Sequence, residues 1–455
     1  MRMKFTLLPA LCLGVACLWT VPAIAAEPEE GVSTLIVEGT TLEDFFTAAL
    51  DYSPQLRISE ERWNVSTARK KSATGQLLPQ INANGSISDN TQSADPLNIE
   101  NKYRGERYSV QLTQVLFNWQ AFAARGAASL MEDMAEAEYF AELAWLLADV
   151  AEKYFNVLQA EDAVTSIRSE LEAVTNQLSQ IQSFYDLQSA RITDLYTAQA
   201  RQAAVQSQQL ELESQLALAR GELRAAAGVN VGTLFRLDEN VEIPPLTDAV
   251  EVWLDRARAG NPTIRARQFA MEAAAKRVSQ QRGAYMPRVT LIAQKQLSDL
   301  GFDNVSMNRT DTTYVGVDVS IPLFAGGSNR AAVSEAASLR GVAQNELRQV
   351  QLEIVERART AYLQAKASEL RTQAAERLAE ATQLSLTSMQ RGFELNAVTS
   401  VDVLNAVRDR FQAERDLQRA RYDNIRATLY LKREAGTLTG DDLLDVGTWL
   451  IAPQP

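Results

Sequence analysis

Two aspartates, Asp194 in "ARITDLY" and Asp402 in "VTSVDVLN", stand 208 residues apart in a chain of 455. Each opens a stretch of helical apolar spacing, where a carboxylate is favoured by the helix dipole. Arg191 lies three residues before the first, close enough to pair with it or with a neighbouring helix. Asn405 lies three residues after the second, and positions i and i+3 share a helix face. These groups can cap helices and display charge. They cannot by themselves turn over a substrate. The chain has no histidine, which removes the commonest general base, the Ser-His-Asp triad and most catalytic zinc sites. Its two cysteines, Cys12 and Cys17, both lie near the N-terminus. No paired carboxylates sit in a pocket-like context, and no loop motif suits a phosphate or nucleotide. The residue set therefore argues against an enzyme and implies no metal or cofactor.

Residues 1–25 read as a cleavable secretory signal: Arg2 and Lys4, an apolar run, then Ala23-Ile24-Ala25. A membrane anchor is the alternative, but the run is short. A lipoprotein reading through Cys17 meets a poor motif in Gly14-Val15-Ala16. Without this segment the chain carries 43 basic and 57 acidic residues, a formal charge of −14. An acidic exported protein is a poor nucleic-acid binder. No later stretch has 18 consecutive apolar residues, so a membrane role would have to come from strands.

The elements that position the aspartates are written twice. "SPQLRISE" at 53–60 has a counterpart in "NPTIRARQ" at 261–268, and each proline is followed 25 residues later by another: Pro54 and Pro79, Pro262 and Pro287. The first unit, 40–235, begins with an apolar stripe Leu42, Phe45, Phe46, Ala49, Leu50 at helical spacing. A second helix follows to about Gly75. The second unit, 246–436, repeats the pattern, and residues 437–455 form a tail.

Extended stretches follow the second proline of each pair. Ile81, Ala83, Gly85 and Ile87 alternate with polar residues; so do Tyr108, Val110 and Leu112, Val289, Leu291 and Ala293, and Val315, Val317, Val319 and Ile321. Strands are expected at about 80–91, 106–117, 287–298 and 312–323, each near the length of a tilted membrane strand. A soluble sheet with one wet face would show the same alternation. Lys295 is out of place on the apolar side unless it lies near a rim. Proline-free helices are then expected over 119–182 and 328–390, about 90 Å each at 1.5 Å per residue. Return helices follow at 193–227 and 401–434.

The fold class is thus α+β: two tandem repeats, with four strands and long antiparallel helices. Four strands cannot close a roomy barrel, and open edges are not tolerated in lipid. Three copies would supply twelve strands, a β-barrel continued by an α-helical barrel.

The paired openings "SPQL" and "NPTI", the strand entries "LLPQI" and "YMPRV", the crossings "VLFNW" and "IPLFAGG", and the ending "REAGTLTGDDL" together resemble the TolC-type outer-membrane efflux protein family. The resemblance runs from Leu42 to about Leu444. It implies a homotrimeric duct in the outer membrane, reaching into the periplasm and working with a periplasmic adaptor and an inner-membrane pump. It also places the helical turns at the periplasmic entrance. There Asp402 matches an aspartate that forms a ring with its symmetry mates. A second family aspartate is Asn405 here, so attraction or block of cations should be weaker. Asp194 matches a partner of the ties that close the entrance. The tyrosine and arginine of those ties match Phe393 and Val398, so closure must be wired differently, through Arg191 and Arg391. Phe184, Tyr185 and Phe393 pack the turns or dock a partner. Tyr108, Tyr314, Phe117, Trp119 and Phe324 form interfacial girdles or pack the helix crossings.

The leading expectation is a passive exit duct for drugs or other small molecules. A duct for type I protein secretion needs the same hole. A non-porous periplasmic coiled-coil scaffold is a third reading, opposed by the alternating strands.

Overall fold

The computed structural model describes residues 38–94, 99–238, 241, 243–299, 309–395 and 397–452. The expected signal segment lies outside them, as do parts of both strand-connecting loops.

A short strand β1 (Glu38–Gly39) leads into α1 (Leu42–Tyr52). Thr41 and Asp44 close a reciprocal cap on its first turn. Ser53 ends α1 in an extended conformation and at once caps α2 (Pro54–Gly75), its Oγ accepting from Leu56 N at 3.3 Å. Proline suits the first helical position, because its missing N–H would have had no partner there. The first proline of each pair therefore marks a joint between two helices. The second marks the passage into sheet.

Strands β2 (Gln80–Ala94) and β3 (Ile99–Phe117) form a hairpin. Two long helices follow, α3 (Trp119–Asp186) and α4 (Ile192–Ala227), extending the first past its expected end at 182. A linker carries β4 (Asn230–Val231) and β5 (Arg236–Leu237). The second repeat comprises α5 (Val250–Gly260), α6 (Pro262–Arg282), β6 (Arg288–Asp299), β7 (Thr310–Ser320), α7 (Ser328–Glu394) and α8 (Ser400–Glu434). The tail adds α9 (Gly440–Gly447) and β8 (Leu450–Ile451). The offset of 208 persists at atomic detail. Asn261 repeats Ser53, capping α6 through Thr263 N at 2.9 Å, and Gly436 (φ 69°) repeats Gly228 (φ 73°).

The large sheet is antiparallel in the order β2-β3-β6-β7, so β2 and β7 are its edges. The register puts Ala83 beside Val110, Leu112 beside Ala293, and Ala293 beside Val315. One face is thus apolar across all four strands. Lys295 on that face is neutralised by Asp311 of β7, with Nζ and Oδ1 2.6 Å apart. β7 ends at Ser320, short of the expected 323, because Pro322 cannot donate to a ladder.

The long helices pack along seams of small residues. On α7 the central run of buried positions is Ile354, Ala358, Ala361, Ala365, Ser368 and Thr372. That is alternating four-and-three spacing, the period of a left-handed supercoil. A larger apolar cluster gathers where α1, α3, α4, α8 and α9 meet, around Phe45, Tyr154, Phe155, Tyr422 and Leu443. Tyr154 donates to the carbonyls of Thr40 and Phe235 at 3.2 and 3.1 Å, and burial pushes its phenol well above the ordinary value. β1 pairs with β4, and β8 with β5, so both described ends of the chain are fastened to the linker. Among the described residues, no helix is long and apolar enough to cross a membrane.

Candidate functional site: the paired helical turns

Each long helix ends in a turn that sends the chain back along it. In the first, Gln188 N donates to Tyr185 O at 2.8 Å and Ser189 N to Phe184 O at 2.7 Å. This is a Schellman closure, and it holds Gln188 at φ 60° without a glycine. In the second, Ala397 N donates to Gly392 O at 2.8 Å, the same bond 208 residues later. Leu187 N to Ser183 O and Leu395 N to Arg391 O, both 3.2 Å, repeat likewise. The two turns share these backbone bonds.

Side chains distinguish them. Thr399 caps α8: its Oγ accepts from Asp402 N at 3.3 Å. In return Asp402 Oδ2 accepts from Thr399 N at 2.9 Å and from Thr399 Oγ at 2.6 Å. Those bonds, the hydroxyl's first and then the amide's, hold the Asp402 carboxyl below the usual aspartate range. The cap occupies Oδ2, and the residue stays exposed. In the first turn the equivalent of Thr399 is Arg191, which makes no side-chain cap. Asp194 is half-buried, and among the described residues its side chain takes only a hydrogen bond from Thr193 Oγ, at 3.4 Å. The capping role open to both aspartates is thus played by Asp402.

Asn405 is exposed, one helical turn beyond Asp402. Arg191 and Arg391 are both exposed, and among the described residues neither forms an ion pair within the chain. The Phe184 and Phe393 rings meet edge-to-face with centroids 6.0 Å apart, joining the two turns. Tyr185, Phe393 and Val398 pack on the cluster of Ile181, Leu195, Leu386 and Val403 behind them. Phe184 remains 37% exposed and Tyr185 half-buried. Among the described residues, no group of potential ligands is placed to hold a metal ion. The arrangement can present charge and apolar surface at one end of a rod and do no covalent chemistry.

Sequence reasoning missed the ionic ties buried behind the turns. Glu170 on α3 meets Arg201 of α4 and Arg415 of α8, and Glu161 meets Arg220. Asp162 Oδ2 accepts from Tyr422 Oη at 2.6 Å. A signal was present: Glu161 and Glu170 interrupt the apolar seam Leu158, Val164, Ile167, Val174 at helical spacing.

The sequence pattern described as "Outer membrane efflux protein" matches residues 46–229 and again 253–437. The chain is similar to the outer membrane protein TolC of Vibrio cholerae, with 26% identity over 92% of this chain and 96% of that protein. It is also similar to the alkaline protease secretion protein AprF of Pseudomonas aeruginosa, with 26% identity over 88% and 85%. Its fold superposes on the outer-membrane channel OprN with a TM-score of 0.75, at 19% identity, covering 87% of this chain and 90% of that one.

Proposed function

Because the chain belongs to the outer membrane efflux protein family, we propose that three copies close one conduit, each edge strand β7 pairing with β2 of the next copy. The protein is an outer-membrane efflux channel whose long helices reach into the periplasm, a passive duct and not an enzyme. The observation that carries the trimer is the four-stranded sheet with one apolar face and two open edges. Such edges cannot remain unpaired in lipid. Three copies supply twelve strands, an even number in the range of such barrels. α3, with 68 residues, would carry the wall about 100 Å beyond the sheet.

The turns then ring the periplasmic entrance. Asp402 and Asn405 face the passing solute; Arg191, Arg391, Asp194 and Phe393 contribute to closure between copies. Phe184 and Tyr185 offer apolar surface to a periplasmic adaptor, which links the duct to a proton- or ATP-driven inner-membrane pump. The cargo is drugs or other small molecules. Likeness to AprF, a protease secretion protein by name, supports a second reading as the duct of a type I secretion system.

Reconstitution of the detergent-purified protein in a planar bilayer tests the duct. Discrete conductance steps are expected, with cation selectivity reduced by Asp402→Ala. Steps unaffected by that change would leave Asp402 a cap only. No conductance would favour the non-porous scaffold. Co-purification with a proton-driven pump or with an ATP-driven exporter separates small-molecule efflux from protein secretion.

A further inference from the structure

We propose that Glu170, gripped by Arg201 and Arg415, is the positioning residue of the entrance: the helices are pinned there, and only their segments on the tip side move when the entrance widens. The inference rests on the channel reading above.

Glu170 is completely buried in α3. Its Oε1 accepts from Arg201 Nη2 at 2.5 Å, within the same helical hairpin. Its Oε2 accepts from Arg415 Nη1 at 2.8 Å, on α8 of the other hairpin. One carboxylate thus joins three helices. Farther from the tip, more polar ties cross between the hairpins. Tyr422 donates to Asp162, and Arg426 donates to Gln159 Oε1 at 2.8 Å and also meets Asn156. Arg421 of α8 is held to the linker instead, donating to the carbonyls of Asp238 and Val241.

On the tip side the character of the contact changes. Among the described residues, everything that joins the two hairpins there is apolar: the Val174, Ile181, Leu195, Val403 and Val407 cluster and the Phe184–Phe393 ring pair. The polar contacts in that region stay within one hairpin, as with Gln202 to Thr175 and Arg410 to Gln383. Apolar contact is non-directional and survives sliding. A charge-assisted pair of hydrogen bonds on a buried carboxylate does not. The polar-to-apolar boundary lies at Glu170. From there to Asp186 is about 24 Å of helix at 1.5 Å per residue, and from Arg415 to Ser400 about 22 Å.

Removing the carboxylate does more than cut a tie. It leaves two guanidiniums, from α4 and α8, facing each other with little solvent: Arg201 and Arg415 side chains are 25% and 15% exposed. Their repulsion pushes the hairpins apart. Removing Arg415 only releases the link. Glu170→Gln should therefore widen the entrance more than Arg415→Gln.

The test uses the full-length protein in planar bilayers and, in parallel, spin-label pairs read by pulsed electron resonance. One pair, at Leu187 and Leu395, reports the tips. The other, at Glu222 and Arg359, reports the hairpins away from the tip. Mean conductance should rise by about twofold in Glu170→Gln, and less in Arg415→Gln, as expected for release of a constriction. Arg168→Gln should leave it unchanged, since its ion pair with Glu213 stays within one hairpin. The tip pair should broaden and lengthen while the other pair keeps its separation. Unchanged conductance and distances in Glu170→Gln overturn the proposal. So does loosening of both pairs together, which would make Glu170 a general stabiliser. If Glu170→Gln fails to assemble, Arg415→Gln carries the same test. Absence of steps in the unmodified protein sinks the channel reading; the spin labels still decide whether Glu170 is a pivot.

Discussion

The two helical turns share two backbone closing bonds and differ in what their side chains do around them. Thr399 and Asp402 lock the start of α8 reciprocally, whereas Arg191 and Asp194 at the same positions leave the start of α4 without a side-chain cap. A carboxylate conserved in position between repeats has thus been put to two uses. Asp402 commits Oδ2 to its own helix. Among the described residues the Asp194 side chain is bound only by its neighbour Thr193, and it retains capacity for a group on another helix or chain. We propose that the exposed Arg191 and Arg391 supply such groups between copies. The closing backbone bonds belong to the repeat; charge assignment belongs to each copy of it.

The largest break in the symmetry should come at the other ends of the return helices. Gly228 and Gly436 both have positive φ, but a Cβ at Gly436 would lie 2.6 Å from the backbone of Asn261, while one at Gly228 would strike the ring of Tyr52 at 2.4 Å. A ring can rotate away; the Asn261 backbone is fixed by its helix joint and by a 2.9 Å bond from Asn261 Nδ2 to Glu434 O. Gly436→Ala should cost about 3 kcal/mol and Gly228→Ala about 1 kcal/mol. Thermal melting followed by circular dichroism checks the order, and equal losses would refute it.

Next in size are the caps. Thr399→Ala should weaken the first turn of α8 by about 1 kcal/mol, and Arg191→Thr should build the missing cap on α4 and gain a similar amount. Hydrogen exchange at the amides of 194–196 and 402–404 reads each turn separately. Faster exchange at α8 in the first variant and slower exchange at α4 in the second would make the turns interchangeable.

A smaller effect follows from pH. The Asp402 carboxyl titrates below its unfolded value because it accepts from Thr399. Its stabilisation is full above the ordinary aspartate range and is lost as pH falls through the depressed folded value. Acidification should speed exchange at 402–404, and Thr399→Ala should abolish that dependence. Smallest is Asn405→Asp, which restores a second carboxylate one turn beyond Asp402. It should raise cation preference and divalent block in bilayer recordings, with no change in melting.

Much of this fold was legible because it is punctuated. Ser53-Pro54 and Asn261-Pro262 announce helix joints by cap chemistry, and the long proline-free segments allow little but helix. The strands were less legible at their outer ends. β2 runs to Ala94 and β3 begins at Ile99, beyond the expected 91 and 106, because polar residues there are held by cross-strand pairing that leaves no hydrophobic alternation. Lys295 looked misplaced until the register brought Asp311 within reach. The T-x-x-D of Thr399–Asp402 was readable as a cap, while Arg191 in the same slot explains the lack of one on α4.

By itself, then, the sequence determined the two-fold repeat, the helix joints, the strand periodicity and the absence of histidine chemistry, since caps, prolines and alternation act within a few residues. Only the tertiary structure decided that Glu170 on α3 meets Arg415 of α8, 245 residues away, that Phe184 meets Phe393, and that both described chain ends are fastened to the linker. Those pairings depend on how long helices align side by side. That alignment is set by the summed packing of the apolar seams, and no local signal in the chain encodes it.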